Sequence, residues 1–61
     1  MYEVVFADQD SEGREGYVSE LTSDWERTVA ENRPFLRAGE SVSVYRVLSG
    51  KVERVFFERI A

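Results

Sequence analysis

Asp8, Asp10 and Glu12 alternate along a stretch that ends in Gly13, giving D-x-D-x-E-G. Carboxylates at every second position before a sharp glycine turn aim hard oxygen ligands at one point. Calcium is the ion such ligands suit. Joined by Glu15, the same residues make an acidic loop able to dock a basic partner by charge, with strong salt dependence. A second set is basic and aromatic: Arg33, Arg37, Arg54 and Arg59, with Arg46 and Lys51, interleaved with Phe35, Tyr45 and Phe56. Guanidinium groups hold phosphates while rings stack on bases, so this set offers nucleic-acid or nucleotide contacts. A third set, Tyr45, Val47, Val52 and Phe56 with Arg54 among them, is apolar enough to bury against a partner.

Several chemistries lack their residues. The chain has no histidine and no cysteine, which removes classical zinc sites and Ser-His or Cys-His nucleophile pairs. No disulfide can staple the fold, and the redox compartment is left open. A chain of 61 residues struggles to enclose a substrate pocket alone, so an enzyme is not expected.

Over six residues the acidic stretch resembles the opening of an EF-hand loop, a likeness that implies Asp8, Asp10 and Glu12 as calcium ligands. Arg14 falls at the seventh position, where a carbonyl suffices, but Glu15 occupies the normally apolar eighth. Ser19 stands at the twelfth, where a bidentate glutamate belongs, and the pattern shows no flanking helix pair. A solvated hairpin loop is the simpler reading, and no cofactor is expected. The acidic loop is also similar in kind to the charged surfaces of small acidic inhibitor proteins, including phage-encoded ones, though no motif carries that likeness.

Charge divides by halves. Residues 1–26 carry eight acids against Arg14 alone, a net −7, whereas residues 27–61 carry seven bases against four acids, a net +3. Either the molecule has an acidic and a basic face, or the halves pair internally. A net charge of −4 without a Gly-rich phosphate loop makes nucleic acid the second choice of ligand.

The elements that must position these groups follow from periodicity. Tyr2–Ala7 reads as a strand, with Tyr2, Val4 and Phe6 on one face. Residues 8–16 form a polar loop, and Tyr17–Leu21 reads as a returning strand. Ser23 and Glu26 have capping-box spacing, so a helix is expected from there to about Asn32, with Pro34 disfavouring a helical Arg33. Trp25 and Val29 give it a narrow apolar stripe. Phe35–Gly39 is then a turn or a short 3₁₀ piece.

Val42–Ile60 reads as a β-hairpin turning at Ser49-Gly50. Its favoured register pairs Leu48 with Lys51, Val47 with Val52, Arg46 with Glu53, Tyr45 with Arg54, Val44 with Val55, Ser43 with Phe56 and Val42 with Phe57. That places Val42, Val44, Val55 and Phe57 on a core face beside Val4, Phe6, Trp25, Val29 and Leu36. Tyr45, Val47, Val52 and Phe56 fall on the other face, with Arg54 lying on the Tyr45 ring.

The whole predicts one domain over residues 1–61, an α+β two-layer sandwich in ββαββ order with one helix on one face of an antiparallel sheet. One helix covers only one face, so the other calls for a partner. A second copy is the simplest, giving a homodimer. The expected function is a non-enzymatic module that self-associates through its C-terminal hairpin and binds and regulates, or inhibits, another protein. A nucleic-acid or nucleotide-binding domain is the alternative. No apolar run is long enough to span a membrane, so a soluble, cytoplasmic protein without membrane contact is expected.

Overall fold

Four antiparallel strands and one helix build the α+β sandwich in ββαββ order. The computed structural model describes residues 1–10 and 16–61. Its elements are β1 (Tyr2–Ala7), β2 (Val18–Thr22), α1 (Trp25–Asn32), a 3₁₀ turn (Arg33–Phe35), β3 (Ser41–Leu48) and β4 (Lys51–Arg59). The sheet order is β2-β1-β3-β4, so the two hairpins join through β1 and β3, with Val4 opposite Val44 and Phe6 opposite Val42. β2 and β4 are the outer strands.

Alternation along β1 sends Val4 and Phe6 to the helix side, where they meet Val42, Val44 and Val29 in the buried core. Tyr2, Trp25, Leu36 and Phe56 close over that core as half-buried partners. The helix contributes little, with only Thr28 and Val29 buried, in keeping with its narrow stripe.

Three local expectations need correction. The helix cap is Asp24 rather than Ser23: Asp24 Oδ1 accepts from the Arg27 N–H at 3.2 Å. The Thr22 hydroxyl accepts from the Asp24 N–H at 3.0 Å, which moves the helix start one residue on and takes Glu26 out of reciprocal capping reach. Arg33 stays helical at φ −52 and ψ −41, because Pro34 falls in the first turn of a following 3₁₀ element. There its missing N–H forfeits no bond.

The third correction governs the hairpin. Its turn half pairs as expected, from Leu48 with Lys51 to Tyr45 with Arg54. Ser49 at φ 48 and Gly50 at φ 79 form the left-handed pair that a two-residue turn needs. Beyond Tyr45 the register shifts: Val44 lies opposite Phe56, Ser43 opposite Phe57 and Val42 opposite Glu58. Val55 is therefore an extra residue in β4, a β-bulge. Every later side chain changes face. Phe56, expected on the open side, packs on Trp25 with ring centroids 5.0 Å apart. Phe57 and Val55, expected in the core, are 36% and 39% exposed. Val55-Phe56-Phe57 is a run of three apolar residues, so alternation pins neither face there.

The bulge makes neighbouring phenylalanines unequal. Phe56→Ala is expected to cost about 2–3 kcal/mol in chemical denaturation, below the range for a fully buried ring because Phe56 is only half-buried. Phe57→Ala should cost under about 1 kcal/mol. Equal losses would contradict the register shift.

Candidate functional site

The face of the sheet away from the helix is small-sided at its centre and large-sided at its β4 edge. β1 supplies Val5 and Ala7 and β3 supplies Ser41 and Ser43, all buried. The Oγ atoms of Ser41 and Ser43 have no hydrogen-bond partner among the described residues, a desolvation cost of about 1–3 kcal/mol each. Beside them β4 sets out Arg54 opposite Tyr45, Phe57 opposite Ser43 and Arg59 opposite Ser41. Directly opposed residues share a face, so Arg54, Phe57 and Arg59 form one row. Both guanidinium carbons stand over the Phe57 ring, Arg54 at 5.0 Å and Arg59 at 5.6 Å from its centroid. Arg54 stacks on Phe57 and not, as expected, on Tyr45. In a straight strand Arg54 would point away from Phe57 and Arg59; the extra Val55 aligns the three.

Toward the turn the hairpin leaves the body of the molecule. β1 pairs with β3 only as far as Arg46, and the Val47 N–H then reaches the Met1 carbonyl at 3.1 Å. Leu48 is 65% exposed and Val52 42%.

Among the residues expected to form an interface, Tyr45, Val47, Val52 and Arg54 share this open face. Phe56 does not, and Phe57 stands in its place. The basic set is split. Arg33 pairs with Glu58 on the helix side, and Arg46 with Glu53 at 3.3 Å on that same side. Arg37 lines a cleft near the loop, and only Arg54 and Arg59 stand together. Phe57 was the residue hardest to find from sequence. No glycine or polar residue within Val55-Phe56-Phe57 signals the register change that brings it to this face.

Asp8 and Asp10 are exposed and, with Gln9, Arg37, Ala38 and Glu40, line an open cleft of about 340 Å³. Glu12 and Glu15 lie outside the described residues, so the acidic docking loop and the calcium pattern are placed only in part. Among the described residues no three acidic, histidine or cysteine side chains form a metal-holding group. Among them, too, no helix is long and apolar enough to cross a membrane.

Glu40 organises this end of the sheet. One carboxylate oxygen accepts from the Arg37 N–H at 2.6 Å and the other from the Tyr17 hydroxyl at 3.2 Å. The Arg37 bond is the main cause that holds the Glu40 carboxyl below its usual range, against a smaller opposing desolvation. Tyr17 is pushed up, first by partial desolvation and then by its bond to Glu40. Because β1 lies between β2 and β3, the Tyr17–Glu40 bond ties the residue before β2 to the residue before β3 across β1. Gly39, at φ 90, completes the end: its N–H donates to the Ile60 carbonyl at 2.8 Å, and Arg59 Nη1 donates to its carbonyl at 2.9 Å.

In comparisons with known proteins, no family model, no curated protein and no solved structure matches the chain.

The Glu40 contacts set a pH dependence. A carboxyl lowered by folding stabilises above its unfolded value of 4.5, and that contribution is lost as pH falls through the lower folded value. The melting-temperature advantage of wild type over Glu40→Gln is therefore expected to shrink between about pH 6 and pH 3. Tyr17 acts in the opposite sense: its contribution is present below 10.0 and lost as pH rises through its raised folded value. A constant gap between wild type and Glu40→Gln across the acid range would remove Glu40 from this role.

Proposed function

We propose that the protein is a non-enzymatic interaction module that self-associates through its C-terminal hairpin and uses that surface to bind and regulate another macromolecule. The observation that carries the reading is a mismatch of lengths. The eight residues of α1 span about 12 Å, whereas the nine residues of β4 run about 30 Å. Helix cover therefore ends well short of the turn; on the far face the centre (Val5, Ala7, Ser41, Ser43) is buried, and the exposed part is the β4 edge and the turn end. Of the hairpin's exposed apolar residues, Val52 and Phe57 lie on the far face, Leu48 lies on the helix side beyond the end of the helix, and Val55 is the bulge between them. An apolar surface of this kind, with charged residues around it, is what an interface asks for.

The ionisable groups support the non-enzymatic part. Among the described residues, Tyr17 and Glu40 are the two whose titration is clearly displaced, and each moves away from neutrality. A general acid or base needs the reverse. The cleft that Glu40 lines is also open among the described residues, so it does not exclude water from a reacting centre.

Sedimentation tests the association. The wild-type protein is expected to run as a dimer and Val52→Glu as a monomer with an unchanged circular dichroism spectrum. A monomeric wild-type mass would end the self-association reading.

A further inference from the structure

β4 is an outer strand, and one side of its backbone has no partner strand among the described residues. The Val47 N–H donates to the Met1 carbonyl, so Val47 turns its backbone groups away from β4. Val52 lies directly opposite Val47. Opposed residues of an antiparallel ladder turn toward or away from each other together, so Val52 turns its own N–H and carbonyl to the open edge. Its side chain is 42% exposed on the far face, and Lys51 and Glu53 flank it on the helix side with opposite charges. We infer that a second copy of this chain adds to that edge, β4 against β4 and antiparallel, with the two-fold axis at Val52. Each Val52 then exchanges both backbone hydrogen bonds with its counterpart, and Lys51 of each copy meets Glu53 of the other. This rests on the self-association proposed above and names the register in which it occurs.

Charge selects that register. A two-fold axis along an antiparallel pair falls on a residue, which then faces itself. At Lys51, Glu53 or Arg54 it would set like charges directly opposite, a destabilising contact. At Val52 it sets valine on valine, and the two lysine–glutamate pairs follow. Beyond Arg54 the bulge ends the regular edge, so the paired segment stops where the irregularity begins. Val47 and Val52 of each copy then form one apolar row across four strands of the far face. On the helix side Arg46, Glu53 and Lys51 of the second copy alternate in charge.

No group has to leave its present partner. Glu53 accepts from Arg46 through Oε1 and is well exposed, so Oε2 is left for the incoming ammonium. Gly50 falls opposite Arg54 of the second copy and has no side chain to displace it, so Arg54 keeps its stack on Phe57.

Sedimentation of charge variants, alone and mixed, tests the register. Lys51→Glu alone sets glutamate against Glu53 at both contacts, and Glu53→Lys alone sets lysine against Lys51. Each is expected to raise the dimer dissociation constant at least about tenfold. An equimolar mixture restores opposite charges at both contacts and is expected to associate within about threefold of wild type. Arg27→Glu makes the same charge change as Lys51→Glu on the helix surface, where Arg27 pairs with Glu31, and should change the constant less than about twofold. Circular dichroism checks that each variant is folded. A wild-type dimer that both single variants leave intact, or that Arg27→Glu weakens equally, would overturn this register while self-association itself stands. Weakened variants that do not recover on mixing would overturn it as well. A monomeric wild type would remove the self-association reading and this inference with it.

Discussion

One extra residue in β4 decides which side of the sheet its last four residues occupy. Up to Arg54 the strand pairs regularly with β3; at Val55 it gains a residue that β3 does not match. Were the strand straight, Val55 and Phe57 would face the helix, with Phe56 and Glu58 opposite. The bulge exchanges them. Phe56 then closes the core against Trp25, a contact worth about 0.5–1.5 kcal/mol beyond its buried area. Glu58 reaches Arg33 at the end of the helix. In a core built from five buried residues, all valines but for Phe6, an aromatic lid of this size matters. The same exchange gathers Arg54, Phe57 and Arg59 on the open face. Packing on one side and charge on the other therefore follow from a single irregularity.

Much of the architecture was legible in the chain. The strand β1 announced itself by alternation, and Ser49-Gly50 fixed the turn half of the second hairpin. Trp25, Val29 and Leu36 were readable as its cover. What escaped had physical causes. Ser23-x-x-Glu26 satisfies the capping-box pattern, yet the Thr22 hydroxyl holds the Asp24 N–H and hands the cap to Asp24, a competition invisible in spacing alone. The bulge was hidden because Val55-Phe56-Phe57 is apolar throughout, and no glycine marks the irregularity. Tyr45, Val47, Val52 and Arg54 were legible as one surface because they lie on the regular side of Val55. Phe56 was misplaced because it lies beyond it.

The charge division also acquires a structural sense. Arg27–Glu31, Arg33–Glu58 and Arg46–Glu53 all join residues within the C-terminal part of the chain. These three pairs draw on no acid of residues 1–26. Arg27–Glu31 and Arg46–Glu53 are exposed pairs, worth at most about 1 kcal/mol each. Arg33–Glu58 differs because Glu58 is the more enclosed member and its second oxygen, Oε1, is buried without a partner among the described residues. Removing Arg33 would leave that carboxylate uncompensated, so its role is to make the flipped end of β4 tolerable on the helix side.

An exposed outer strand is ordinarily a hazard, and short length, charge and bulges are the usual protections. β4 has the last two, with Lys51, Glu53, Arg54, Glu58 and Arg59 distributed along it and Val55 looped out. The charges are not neutral in arrangement. Read backwards, Glu53-Arg54 would meet Glu58-Arg59 of a second copy as two opposite-charge pairs, which invites edge-to-edge pairing. The bulge defeats that register, because it turns Glu53 and Arg59 to opposite faces of the sheet, as it does Arg54 and Glu58. A single insertion thus closes β4 to its own kind in that alignment.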